Sequence, residues 1–360
     1  MTTAYMQWAK TRSDGKFNLA TSGVSECSFE DLQVTVDGFE LRRPSGYTYE
    51  PLQQALSARC EVPAESIVTA LGTSFANHLV LASLLSPGDE ILVEDPAYDP
   101  LIAVANYLRA KIKRFHRRFE DGFQIDPVEV EKLATSQTKL IILTNLHNPT
   151  SAYTGEQTLT QLQRIARRVG ARILVDEVYL ELLKVAGRPM RSAFSLGADF
   201  IVTSSLTKAY GLSGLRCGWI VAEPAVADRL WQLHDLYYST PPHITERLSV
   251  TALQDLDRLA KRAEAILRTN RALLTRFLDS NVEHLEVVRS DVGTVVFPRL
   301  RNGRCEMFCE LLRNKYETTV VPGAFFGMPD CFRLGIGGST NLLSAGLERV
   351  AAALDEFSRS

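Results

Sequence analysis

The chain has six cysteines but no Cys-x-x-Cys pair, and their positions, 27, 60, 217, 305, 309 and 331, follow no disulfide framework. That spacing argues for a reducing compartment and against structural zinc. Cys305 and Cys309 stand one helical turn apart, yet a metal pair is not expected there. His78, His147 and His243 follow no metal spacing either, so they read as packing or surface residues and no metal is expected. No apolar run reaches membrane-spanning length, and the first twenty residues lack the continuous apolar segment of a secretory signal. A soluble, cytoplasmic protein is the expectation. Neither sign of charge dominates: 40 lysines and arginines face 42 acidic residues, a net charge of -2. No global field then favours nucleic acid or an anionic membrane, which leaves a small molecule or another protein as partner. No GxGxxG follows a strand and no GxxxxGK[ST] occurs, which excludes a typical dinucleotide fingerprint and a Walker loop. Internal repeats, low-complexity tracts and flexible linkers are missing as well.

What is present is alternation. Short runs rich in valine and isoleucine recur at "EILVED" (90–95), "TKLIILTN" (138–145), "ARILVDEVY" (171–179), "DFIVTSS" (199–205) and "CGWIVA" (217–222). Such runs predict strands buried on both faces. Between them lie amphipathic stretches such as "GEQTLTQLQRIARRVG" (155–170), where Leu159, Leu162, Ile165, Ala166 and Val169 share one helical face and a glycine ends the run. Strand and helix in alternation predict a mostly parallel sheet covered by helices, with ligands outside the carboxyl ends of the strands. The 360 residues suit one large α/β unit or two domains sharing segments. After about residue 245 the pattern changes to a long charged helical segment, short strands at "GTVVFPRL", "TTVVPG" and "CFRLGIG", and a helix from about Asn341. This predicts a smaller α+β unit, with the first forty-odd residues packed against it.

Several predicted strand ends finish in unusual polar residues. Asn148 follows "IILTNLH", Asp176 and Tyr179 lie in "ILVDEVY", and Lys208 follows "FIVTSS". Parallel neighbouring strands would bring this amide, carboxylate, phenol and amine to one edge. A carboxylate directly after "ILV" in a buried strand needs a partner, because an isolated desolvated charge is costly. In "ALGTSFANHLVLASLL" (70–85), Gly72 opens a helix whose first turn carries Thr73 and Ser74. Unpaired amides and the helix dipole there suit a phosphate, although Ser and Thr are also ordinary caps. "SLTK" matches the SxxK of penicillin-recognising serine hydrolases, with Ser205 as nucleophile and Lys208 as base, but KTG is missing and "SDV" (290–292) is the nearest approach to SDN.

Taken together, "GTSFAN", "DPAY", "HNPT", "DEVY", "SLTKAYGLSGLRCGW" and "FRLGIG" resemble the class I/II aminotransferases, pyridoxal-phosphate enzymes of fold type I, in order and spacing from about Tyr47 to Gly337. The lysine of SxxK followed eight residues later by Arg216 is the most specific part. The resemblance implies an α/β fold: a three-layer large domain whose mostly parallel central sheet binds pyridoxal 5′-phosphate, and a smaller α+β domain. The implied division is an N-terminal segment at 1–44, a cofactor domain at 45–270 and a small domain at 271–360.

It also implies roles. Lys208 would hold the cofactor aldehyde as a Schiff base and shuttle the proton at the substrate Cα. Asp176 would keep the pyridine nitrogen protonated, Tyr179 and Asn148 would hydrogen-bond the ring's phenolic oxygen, and Tyr98 would stack on the ring. Arg216, Ser205, Thr73 and Ser74 would bind the phosphate. Arg333 would grip the substrate carboxylate, with the backbone near Gly23 and Asn148 beside it. Tyr47, or Tyr49 in its place, would cross the interface of a homodimer with shared active sites. Ser151 stands where the family's NPTG has glycine, which puts the shape of that turn in question. The implied reaction is ping-pong transfer of an amino group between an amino acid and a 2-oxo acid. A lyase, decarboxylase or cyclase on the same scaffold is the alternative. Less favoured are the serine hydrolase and a non-catalytic regulator, since about forty residues before the cofactor domain leave no room for a DNA-binding module.

Overall fold

The computed structural model describes residues 3–34, 40, 42 and 44–359; positions 35–39, 41 and 43 of the N-terminal segment lie outside the described residues. The chain begins with Ala4–Thr11 (α1), Phe17–Asn18 (β1), Phe29–Leu32 (α2) and Glu50–Cys60 (α3). A βα succession follows: Ile67–Leu71 (β2), Thr73–Leu84 (α4), Glu90–Asp95 (β3), Asp99–Tyr107 (α5), Lys111–His116 (β4), Pro127–Leu133 (α6), Thr138–Thr144 (β5), Glu156–Val169 (α7), Arg172–Asp176 (β6), Glu181–Val185 (α8), Phe200–Ser205 (β7) and Cys217–Val221 (β8). Helices Pro224–His234 (α9), His243–Gln254 (α10) and Leu256–Ser280 (α11) lead to the last part. There Leu285–Glu286 (β9), Val295–Val296 (β10), Arg299–Leu300 (β11), Cys305–Tyr316 (α12), Thr318–Thr319 (β12), Val321–Pro322 (β13), Phe332–Gly335 (β14) and Thr340–Phe357 (α13) follow in turn.

The large sheet has seven strands in the order β2-β8-β7-β6-β5-β3-β4. Strands β4, β3, β5, β6 and β7 pair in parallel, and β8 runs antiparallel between β7 and β2. Side chains alternate between its faces because the strand period is two. Ile141, Leu143, Ile173, Val175, Phe200 and Val202 enter one core cluster, while Leu140, Ile142, Leu174 and Ile201 enter the other. Helix α4 contributes Leu79, Val80 and Leu81 to the second cluster, and α7 contributes Leu159, Leu162 and Ile165 to the first. The result is the expected three-layer large unit with small additional sheets. Helix α7 ends as the sequence predicts: Gly170 takes φ 74 at its C-cap, and Arg167 and Arg168 sit in its last turn, where the helix dipole favours cations.

The N-terminal segment and the last part of the chain are joined by backbone pairing. Strand β1 pairs in parallel with β12, Gly335 N–H donates to Leu19 O at 2.7 Å, and Ser25 N–H donates to Gly337 O at 2.7 Å. A side chain at Gly335 or Gly337 would collide with the carbonyls of Thr21 and Gly23, so the glycines of "FRLGIG" permit this close approach. The boundary expected at residue 270 falls inside α11, which runs unbroken from Leu256 to Ser280.

Candidate active site

Residues 22–24 lie directly against Lys208. Val24 N–H donates to Lys208 O at 2.9 Å, and a Cβ at Gly23 would sit 3.4 Å from Lys208 Cα and Cδ. Lys208 follows β7 by three residues, is part-buried, and donates from Nζ to Ser22 Oγ at 3.0 Å. Burial of the amine pushes its pKa down, with help from Arg333 and Arg216, while Tyr5 and Asp176 pull the other way. The Ser22 hydroxyl also bonds the Tyr179 phenol, whose pKa burial raises to about 12.

Asp176 ends β6 with the parity of Leu174, so its side chain points to the α4 face. There Asn77 of α4 donates to Asp176 Oδ2 at 2.7 Å, and Val178 N–H donates to Oδ1 at 3.1 Å. Thr203 Oγ1 donates to Asn77 Oδ1 at 2.6 Å, which fixes which way the amide faces. Burial lifts the Asp176 pKa to about 6 against these bonds and the nearby Lys208 charge. The site therefore holds a carboxylate that lacks a strong cationic partner.

Arg333 of β14 is 1% exposed. Its Nη1 donates to Asn148 Oδ1 at 2.9 Å, and its Nη2 donates to the Tyr5 hydroxyl and to Ala20 O, both at 2.9 Å. The Nε is buried with no hydrogen-bond partner. Asn148 is positioned from below: its N–H donates to Thr144 Oγ1 at 3.1 Å, and that hydroxyl donates to Glu94 Oε1 at 2.7 Å. Ser151 adopts φ 61, the conformation glycine favours, and its hydroxyl donates to Val295 O at 2.8 Å. The turn behind Asn148 thus keeps a left-handed residue without a glycine.

The start of α4 completes the cluster. Gly72 takes φ 81 as its N-cap and provides no side-chain cap. Thr73 Oγ1 is buried without a hydrogen-bond partner, and Ser74 bonds the Tyr98 hydroxyl. Arg216 donates to Leu71 O at 3.2 Å, and any side chain at Gly72 would strike its guanidinium. An uncapped helix start, an unused hydroxyl and a guanidinium make a receptor for an anion. Ser205 ends β7 nearby, fully buried. Tyr98 stands edge-on to Tyr5 with ring centroids 5.9 Å apart.

Tyr47 stands apart from this group: it is 45% exposed and stacks on Trp231 at 5.4 Å. Tyr49 donates its N–H to Glu246 and packs on His243. Among the described residues no group of three or more His, Cys, Asp or Glu side chains is arranged to hold a metal, and no helix is long and apolar enough to cross a membrane.

Tyr5, Ser22, Thr203 and Glu94 belong to the site although no motif marked them, and Asn77, the last residue of "GTSFAN", joins them without having been given a role. Asn77 had a signal, since it lies four residues after Thr73 on the same helical face. Tyr5 had none, because its partner Arg333 is 328 residues away.

The family model for aminotransferases of class I and II matches residues 46–350. Capreomycidine synthase of Streptomyces vinaceus is 27% identical over 98% of this chain and 93% of that protein. The arginine–pyruvate transaminase of Pseudomonas aeruginosa is 29% identical over 82% of this chain and 76% of that protein. Among solved structures, a PLP-dependent aminotransferase from Streptococcus suis superposes with a TM-score of 0.92 at 26% identity, covering 99% of this chain and 98% of that one. The PLP-dependent cyclase OrfR superposes with a TM-score of 0.89 at 25% identity, over 99% of this chain and 98% of that one.

Proposed function

The chain belongs to the class I and II aminotransferase family, whose cofactor is pyridoxal 5′-phosphate, and from that premise we propose that it exchanges an amino group between an amino acid and a 2-oxo acid by a ping-pong mechanism. The observation that carries the reading is the convergence of the Lys208 amine, the weakly compensated Asp176 carboxylate and the buried Arg333 fork, the latter two close enough for their charges to act on the amine. The free Thr73 hydroxyl and the uncapped start of α4 beside Arg216 fit the cofactor's phosphate. When bound, the cofactor supplies an aldehyde that captures amines and a pyridine ring that takes up electrons released at the substrate Cα.

The side chains divide the remaining work. Lys208 holds the cofactor and, with its pKa lowered, is more often neutral and able to take the Cα proton. Asp176, held by Asn77 and Val178, would meet the ring nitrogen as an ionised carboxylate. Tyr179 and Asn148 would hydrogen-bond the ring hydroxyl, and Tyr98 would pack on the ring. Thr73, Ser74, Ser205 and Arg216 hold the phosphate. Arg333 receives the substrate carboxylate, with Asn148 and the Gly23 backbone beside it, because its planar fork presents two donors at once. Tyr47, exposed on its own chain, reaches the phosphate of a second copy in a cytoplasmic homodimer.

A second reading, amino-acid cyclisation with the same cofactor, is favoured by the nearly full-length likeness to capreomycidine synthase and to the cyclase OrfR. The two separate in one mixing experiment. With an amino acid donor alone, the transaminase converts one equivalent of cofactor to the amino form and stops until a 2-oxo acid is added. Continued turnover of the amino acid without any oxo acid would establish the cyclase or lyase instead.

A further inference from the structure

A cavity of about 480 Å³ opens on one side of Lys208. Tyr5 and Trp8 of α1, the Thr21–Glu26 stretch and Ser213 are among the residues that line it. Among the described residues that line it, only Lys208 and Glu26 carry a charge. Glu26 is exposed at this wall, and its Oε1 accepts a hydrogen bond from the Ser213 hydroxyl. The Arg262 guanidinium touches the same segment but does not neutralise it: it donates to the carbonyls of Ser25 and Glu26 and faces the Asp31 carboxylate at 3.5 Å. Among the described residues, no arginine, histidine or second lysine lines the cavity.

Resting on the reading above, in which Arg333 takes the α-carboxylate and Lys208 the cofactor, we propose that this cavity receives the donor's side chain and selects one ending in a cation, an ammonium or guanidinium. Both zwitterionic groups of the donor are then engaged elsewhere, and Glu26 is the one formal charge left to meet the side chain. Tyr5 already carries the Arg333 guanidinium over its ring at 5.5 Å, which leaves the Trp8 indole as the aromatic group of the wall that can attract a further cation, and an aromatic face offers nothing to a carboxylate. Hydroxyls and the amide of Asn18 accept hydrogen bonds from an ammonium or guanidinium. A donor with a second carboxylate meets no cation and is repelled by Glu26.

The test uses the holoenzyme with L-arginine, L-ornithine, L-norleucine and L-glutamate as single donors, followed by the cofactor's absorbance, and repeats it with Glu26→Gln. That substitution keeps the acceptor for Ser213 and removes only the charge. Wild type should prefer arginine or ornithine to norleucine and norleucine to glutamate. Glu26→Gln should lower kcat/KM for the cationic donors about fivefold more than for norleucine, the size expected of a solvent-screened charge pair. Preference for glutamate or norleucine, or an equal loss for all donors in the variant, would overturn the proposal. Calorimetric binding of the same amino acids separates the two levels of inference. Arginine bound in preference to glutamate without amino-group exchange would sustain the cavity assignment and remove the transaminase; equal binding of both would remove the cavity assignment.

Discussion

Lys208→Ala should fold, retain the shape of the site and lose turnover by at least about a thousandfold, the scale on which a positioned proton-transfer group and covalent anchor contribute. Its amine donates one hydrogen bond, to Ser22, and burial already disfavours its charged form. Truncation therefore removes little that stabilises the fold, and the melting temperature should stay within a few degrees of wild type. The loss should fall on kcat, because Arg333 still offers its fork to the substrate carboxylate. A small primary amine added to the variant should restore part of the rate, since it replaces the missing proton carrier. Single-turnover kinetics with and without the added amine check each statement.

Asp176→Asn should be the second most damaging substitution, with kcat down by about 10² to 10³, the range for removing a preorganised electrostatic group. The amide occupies the same space but bears no charge to hold a protonated ring nitrogen. The pH dependence gives a separate signature. Burial raises the Asp176 pKa from an ordinary carboxylate value to about 6 in the protein without cofactor. A raised carboxyl pKa means the folded state favours the neutral acid, so this contribution to stability is complete below the unfolded value and is lost as pH rises through about 6. A cationic ring nitrogen relieves that strain on the ionised side chain. The thermal shift produced by adding cofactor should therefore grow between pH 5 and pH 8 in wild type, and the growth should be smaller in Asp176→Asn. Equal shifts at both pH values in wild type would mean that Asp176 does not meet the ring.

Much of this architecture was readable before any coordinates. The runs that became β5, β6 and β7 are buried on both faces, and continuous burial leaves a continuous apolar signature. Strand β4 was missed for the opposite reason: at the sheet edge, Lys111 and Lys113 alternate with Ile112 and partly face solvent, so no apolar run forms. Strand β8 was visible as a strand, but its direction was not, because a period of two reads the same in both directions. The expected boundary at residue 270 lies within the uninterrupted amphipathic pattern of α11, which offers no break in the sequence at which to place one.

The cluster itself was legible where chemistry and local order coincide. Lys208, Asp176 and Asn148 each close a strand or follow one, Arg333 sits inside β14, and the charges of Asp176 and Arg333 both act on the Lys208 amine while Asn148 bonds Arg333. Of the residues that orient them, only Asn77 had a signal, its place on the face of α4 that carries Thr73. Ser22, Thr203 and Glu94 are ordinary polar residues whose importance comes only from contacts made across the fold. Glu94, buried with its pKa raised to about 7 by desolvation, reaches Asn148 only through Thr144.

The most direct trial is chemical. The protein, saturated with pyridoxal 5′-phosphate, is reduced with borohydride, digested and mapped by mass spectrometry. One phosphopyridoxyl group per chain on the peptide containing Lys208 is the expected result. A label on another lysine, or none on a protein that has bound the cofactor, would contradict the assignment of Lys208 and the roles built around it.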